Sequence, residues 1–202
     1  MKRGKERVYR VAKRCVDIGG ASVLCAVTAP VMVCAAVAVR FSSPGPVLFS
    51  QRRLTEGGCE FDLLKFRTMR LDAEVNRGAT LAVDNDCRVT KVGKVLRRTR
   101  IDELPQLLNV IRGDMSLIGP RPERPELARE FEERIPGFSR RLRVKAGLTG
   151  LAQVIQGYPR YLEGYRQKLA FDIVYIRRQS LTLDAWIALK TVGVVLTGSG
   201  AR

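Results

Sequence analysis

Between Ile18 and Val39 the chain carries 22 residues without a charge, and this run limits what the rest can fold into. As a straight helix it measures about 33 Å, roughly the hydrocarbon thickness of a bilayer. Residues 1–14 hold seven Lys or Arg against one Glu, and basic residues resume at Arg40, Arg52 and Arg53. A cleaved signal peptide is disfavoured, because the run is too long and the chain after it lacks secreted character. Two readings stay open, a spanning helix and a re-entrant one that turns back. Pro30 lies mid-run, where it would kink or break a helix. Basic residues on both flanks favour keeping both ends cytosolic, although long domains cross regardless of charge.

A chain of 202 residues suits one domain with an adequate core. Its formal charge of +16 and pI near 10.3 ask for an anionic partner. Nucleic acid, anionic headgroups and phosphorylated small molecules all qualify, but no nucleic-acid fold signature accompanies the charge. The five cysteines (15, 25, 34, 59, 87) are odd in number and irregularly spaced, with two inside the apolar run. A disulfide framework or zinc site is therefore not expected, and a reducing cytosolic face fits. The chain has no histidine, which excludes Ser-His-Asp and Cys-His chemistry and any His-ligated metal. Carboxylates, lysines and arginines must carry whatever reaction occurs.

Those residue types converge between Arg97 and Arg121, in RRTRIDELPQLLNVIRGDMSLIGPR. The adjacent carboxylates Asp102 and Glu103 follow Arg97, Arg98 and Arg100 and precede Arg121 and Arg124. Asp102 suits an N-cap, and Pro105 is tolerated in a first helical turn. Leu104, Leu107, Leu108 and Ile111 then keep helical spacing up to Gly113. Free N–H groups beside three arginines would suit phosphate. A carboxylate pair there could hold a divalent cation, or one member could attack phosphorus. The alternative is a capped surface helix with solvated charges.

Elsewhere, Ser42–Pro46 reads as a turn out of the apolar run. Val47–Gln51 and Phe61–Phe66 read as strands of a hairpin turning at 56–58. Lys65 and Arg67 alternate, so they would share one side of an extended chain and could offer two cations to one phosphate, or simply form a solvated face. The polar stretch 70–87 is expected to hold a helix and a loop. Gly119–Pro122 reads as a rigid loop that could fix Arg121. Glu123–Arg134 reads as a charged, solvated helix, and the glycines of Lys145–Gly150 are weak evidence for phosphate binding. Leu181–Leu196, with Trp186, reads as an interfacial helix or a buried core helix.

The order of motifs resembles that of the bacterial sugar transferases, the small monotopic phosphoglycosyl transferases acting on polyprenyl phosphate. The matching pieces are KRCVDIGG (13–20), GPVLFSQ (45–51), KFRTM (65–69), the run 88–126, VKAGLTGLAQV (144–154) and 171–201. IDELPQ followed by GDMSLIGPRP is the specific part. The resemblance implies an α+β fold in two parts. Residues 1–40 would be a basic N-terminus and a re-entrant membrane helix broken at Pro30. Residues 41–202 would be a compact catalytic domain on the cytosolic face of the bacterial inner membrane, with short strands and amphipathic interfacial helices.

It also implies roles. Asp102 would be the nucleophile toward the β-phosphorus of a UDP-sugar, and Glu103 its partner, with Mg²⁺ held by Asp102 and Glu103. Arg97, Arg121, Lys65 and Arg67 would bind substrate phosphate. Undecaprenyl or another polyprenyl phosphate would be the acceptor, membrane lipids the other partner, with no nucleic acid, and surface glycan such as exopolysaccharide the destination. The chain departs from the family's usual pattern at Arg100 (Ser), Arg143 (His), Ala146 (Pro), Ser50 (Arg) and Ala29 (the Ser of Ser-Pro). Rival readings are a non-catalytic, membrane-anchored basic protein and a phosphohydrolase using the same aspartate.

Overall fold

A computed structural model describes residues 3–70, 88–157 and 161–197; the helix and loop expected at 70–87 lie outside these, Arg70 excepted. The uncharged run sits inside a longer helix, α1 (Arg3–Ser42). Pro30 lies within it, and the helix does not end there, so the expected break into two helices is corrected. One proline removes one hydrogen bond and crowds one carbonyl. Neither is enough to interrupt 40 helical residues, and proline is tolerated in apolar helices for that reason.

Both halves of α1 rest on the same body. Ala21 packs with Leu63, Leu107, Val110 and Met115, whereas Ala35 and Val39 pack with Phe66 and Leu96. Two polar anchors fix the first half. Asp17, 4% exposed, accepts from Ser116 Oγ (3.0 Å) and Leu117 N (2.9 Å), and Arg14 donates to the carbonyls of Val110 and Ile111. The opposite face stays apolar and exposed at Val23, Val27, Val33 and Val37.

The expected hairpin is present as β1 (Leu48–Leu54) and β2 (Glu60–Phe66), antiparallel with Leu48 opposite Phe66 and Leu54 opposite Glu60. Helix α2 (Lys91–Thr99) precedes a 3₁₀ turn, Ile101–Glu103, and α3 (Gln106–Arg112) comes after it. Strand β3 (Ser116–Ile118) pairs in parallel with β4 (Gly147–Thr149). Between them lie α4 (Pro125–Arg134) and a 3₁₀ stretch, Phe138–Arg143. The glycines of 145–150 are explained by packing, not phosphate: a Cβ on Gly147 would stand 2.1 Å from the Gly119 nitrogen.

The chain ends in α5 (Leu151–Ile155), α6 (Leu162–Arg178) and α7 (Leu181–Thr197). Buried Asp184 ties α7 to the rest. Its carboxylate accepts from Tyr9 Oη and Lys13 Nζ on α1 (both 2.9 Å) and from Tyr175 Oη on α6 (2.8 Å). Ile187 is fully buried, whereas Trp186, Leu189 and Val192 are exposed. The helix is therefore one-sided, and its apolar outer residues match the interfacial reading better than the buried-core one.

Candidate active site

The Asp-Glu pair does not begin a helix, as the sequence suggests. Arg100 takes a left-handed conformation (φ 58°, ψ 14°), the sole non-glycine residue with positive φ among those described. From it the chain winds through i→i+3 bonds, Glu103 N to Arg100 O and Leu104 N to Ile101 O (both 3.2 Å). Asp102 is thus buried within a 3₁₀ turn, and Pro105 takes the N-cap position of α3. The cap is corrected because the left-handed residue and the proline force a tighter winding than an α-helical start.

The two carboxylates differ in their surroundings. Glu103 is gripped from both sides of its carboxylate by Arg121, Nη2 to Oε1 at 2.5 Å and Nη1 to Oε2 at 3.2 Å. Burial acts to raise the Glu103 carboxyl, but the charge and hydrogen bonds of Arg121, with Arg100 and Lys65, hold it below the usual range. Asp102 is 8% exposed and receives no hydrogen bond from any described residue. Burial first, and then the Glu103 charge, push it up to about 6 against the pull of Lys65, Arg97 and Arg121. One member is held ionised by hydrogen bonds, and its neighbour meets the same cations without receiving a hydrogen bond from any described residue.

Three of the four expected phosphate ligands act on this point, namely Lys65, Arg97 and Arg121. Lys65 lies over the Phe49 ring, and burial, with Arg53 and Arg97 nearby, pushes its ammonium down to about 8. Arg97 is steadied by Thr68 Oγ1, which accepts from its Nε at 2.9 Å. The fourth, Arg67, is turned elsewhere. It is buried and donates to the carbonyl and hydroxyl oxygens of Ser43 at 2.7 and 3.1 Å, pinning the turn after α1. Lys65 is the second-last residue of β2 and Arg67 lies just past its end, where Ser43 takes its guanidinium.

Arg121 is fixed through its loop. Four successive carbonyls are each bound: Pro120 by Gly147 N, Arg121 by Arg141 Nη2 (2.6 Å), Pro122 by Arg53 Nη1 and Glu123 by Leu54 N. Glu123 is not on a solvated helix. It precedes α4 and is largely covered by Lys168 and Arg141 (3.2 Å), while Arg141 also meets Asp172 at 2.9 Å. Burial acts to raise Glu123, but Lys168 and Arg141 bring it down to about 2. Sequence reading missed this network. Its one signal is Lys168 and Asp172 sharing the Tyr165–Tyr175 face of α6.

As for a metal, no group of three or more candidate ligands occurs among the described residues. Mg²⁺, however, is commonly held by one or two carboxylates completed by substrate phosphates. Asp102 fits that pattern, adjacent to Glu103 and without a hydrogen-bonding partner among the described residues; Glu103 would have to share its oxygens with Arg121.

Comparison with known proteins gives the family. The bacterial sugar transferase family matches residues 8–198. The chain is 45% identical over 96% of its length to an Aeromonas hydrophila protein, UDP-N-acetylgalactosamine-undecaprenyl-phosphate N-acetylgalactosaminephosphotransferase, covering 46% of that relative. It is 46% identical over 94% of its length to the UDP-glucose:undecaprenyl-phosphate glucose-1-phosphate transferase of Caulobacter vibrioides, covering 71% of it. It is 42% identical over 92% of its length to the protein of the same name in Escherichia coli, covering 40% of it. The chain thus spans about half the length of the first and third of these relatives. A match reaching from α1 through the Asp-Glu turn to α7 places this chain in the bacterial sugar transferase family.

Proposed function

We propose that the protein is a phosphoglycosyl transferase that moves a sugar phosphate from a UDP-sugar to polyprenyl phosphate, through a phosphosugar held on Asp102. The observation that carries this is the unequal treatment of the pair: Arg121 neutralises Glu103, while Asp102 has no hydrogen-bond donor among the described residues and a raised carboxyl pKa. A carboxylate with free lone pairs and raised basicity is the better nucleophile of the two. The names of the relatives support the same class of donor and acceptor.

In the first half-reaction, an Asp102 oxygen attacks the β-phosphorus. The bond from that phosphorus to the bridging oxygen breaks, and UMP leaves with that oxygen. In the second, a phosphate oxygen of the polyprenyl phosphate attacks the same phosphorus. The acyl–phosphate P–O bond breaks and the Asp102 carboxylate is restored, giving polyprenyl-diphosphate-sugar. Lys65, Arg97 and Arg121 spread charge over the phosphoryl oxygens, and Arg121 offers a planar fork suited to them. Mg²⁺, held by Asp102, Glu103 and substrate phosphate, would supply further neutralisation of phosphate charge. Donor and acceptor are both anionic, so using one cationic site in succession avoids crowding them together. The product would begin a surface glycan such as exopolysaccharide.

Residues 1–40 act in this reading as a membrane segment that keeps both ends on one side, without the helix break expected at Pro30, and 41–202 as the catalytic domain, facing the cytosol on the inner membrane. Support comes from α1, whose first half (Asp17, Ala21) and second half (Ala35, Val39) pack on one body. A spanning helix would carry one of them across the bilayer.

The test uses radiolabelled UDP-sugars without acceptor. Up to one UMP per active site is expected, with label retained on the protein and lost in Asp102→Asn. If UMP appears only once polyprenyl phosphate is added, and no bound label can be trapped, direct transfer replaces the covalent route.

A further inference from the structure

Beside the Asp-Glu turn lies a groove of about 760 Å³ that the half-reaction on Asp102 does not use. Its walls come from α1, α7, the β3–β4 sheet and α5, and one border is the turn that carries Arg100 and Glu103. Most of the lining is hydrocarbon, including Val16, Leu24, Leu104, Leu148, Val192 and Val195.

Most polar side chains along it are already engaged within the protein, although the buried Gln153 Oε1 accepts no hydrogen bond among the described residues. Asp17 accepts from Ser116 and Leu117, and Asp184 from Tyr9, Lys13 and Tyr175. Thr191 donates to the Ile187 carbonyl at 2.8 Å and meets Thr149 Oγ1, and Gln153 donates to the Leu148 carbonyl. A polar ligand such as a nucleotide would find few uncommitted groups along the apolar walls. An aliphatic chain would find walls of its own kind, at a volume typical of ligand sites.

Two features select the occupant. The groove borders the reaction centre through Glu103 and Arg100, so a chain lying in it can carry an anionic end to Asp102. Its outer residues Val16, Leu24, Val192 and Val195 are exposed and continue the apolar faces of α1 and α7. The groove is thus open where those helices offer themselves to lipid.

On the reading of the protein as a transferase, we infer that this groove between α1 and α7 holds the first isoprene units of the polyprenyl phosphate acceptor and steers its phosphate past Arg100 to Asp102. Ala185 and Ala188 of α7 line the groove with exposed side chains, so larger residues there fill it without disturbing the core.

The test compares wild type with Ala188→Trp and Ala185→Phe. The KM for polyprenyl phosphate is expected to rise tenfold or more, while acceptor-free UMP release, which reports an intact donor site, keeps its amplitude. In wild type the KM should fall as the acceptor lengthens from one to several isoprene units, and that dependence should flatten in the variants. Unchanged KM and unchanged length dependence in both variants would overturn the inference. A diazirine-bearing polyprenyl phosphate gives a readout independent of turnover. It should crosslink to the 181–195 peptide in wild type and lose that product in Ala188→Trp. Crosslinking elsewhere refutes the groove even if transfer proceeds, whereas absent UMP release with correct crosslinking refutes only the transferase reading.

Discussion

At the scale of single residues, the functional contrast is between two neighbours in sequence. Burial and the Glu103 charge raise Asp102 to about 6, whereas Glu103, which burial also acts to raise, is held below its usual value by the charge and hydrogen bonds of Arg121. If the Asp102 carboxylate is the attacking group, acceptor-free UMP release should rise with pH through about 6 and level above it. Glu103→Gln removes the charge that raises Asp102 and frees Arg121 to act on it, so both effects shift the inflection to lower pH. An inflection that stays put would detach the profile from this pair. The same shift has a stability consequence. A carboxyl whose folded value is raised from 3.8 to about 6 costs the fold stability as pH climbs between those values, by about 3 kcal/mol at most. Asp102→Asn does not ionise. It should abolish transfer and yet melt higher than wild type in detergent at pH 8, with the gap closing toward pH 4. A lower melting point at pH 8 would contradict the burial argument.

At the scale of elements, the site depends on how loops and helices are pinned. A Cβ at Gly93 would stand 2.1 Å from the Thr68 carbonyl oxygen, and Thr68 Oγ1 holds Arg97. Gly93→Ala should therefore destabilise by about 1–3 kcal/mol and slow UMP release by displacing Arg97; wild-type melting and rate would show that α2 yields freely. Arg141 is 3% exposed and links the Arg121 carbonyl to Glu123 and Asp172. Arg141→Met should cost about 3–5 kcal/mol, because buried carboxylates lose a partner. Adding Asp172→Leu should recover part of that loss, which a double-mutant cycle measures; strict additivity would deny the coupling. Such pinning explains what the sequence could reveal. The hairpin was legible because alternation and turn residues are local, and Asp102, Glu103, Lys65, Arg97 and Arg121 because the motif is contiguous or strongly charged. The contact of Arg67 with Ser43 was not legible, since it is set by tertiary packing. Arg141, Glu123, Lys168 and Asp172 were missed because partners as far apart as Glu123 and Lys168, 45 positions in sequence, meet only when α6 closes on the Arg121 loop. Pro30 marks a strained point in a helix but not, from sequence, whether the helix ends there.

At the scale of the whole molecule, the question is which side of the membrane each end of the apolar run occupies. Asp17 is bound to β3, and Val39 is buried against Phe66 and Leu96, with Ile18–Val39 between flanks rich in basic residues. If α1 crossed a bilayer, the body that holds both halves would have to cross with it. That body contains buried ion pairs and four bound loop carbonyls, and on the proposed reaction its site must receive a water-soluble donor. Hydrocarbon tolerates neither unpaired polar groups nor irregular backbone exposed to it. The chain supplies its own reporters, because Cys15 precedes the uncharged run, Cys59 lies beyond it, and both are exposed. Single-cysteine variants keeping one or the other, with the remaining four replaced by serine or alanine, can be treated with a membrane-impermeant maleimide. Both sites should resist labelling in spheroplasts and react in inverted vesicles. Labelling of Cys15 and Cys59 from opposite sides would establish a spanning helix. Labelling of both from outside would instead strand Asp102 away from cytosolic UDP-sugars, and the proposed reaction would then fall together with the topology.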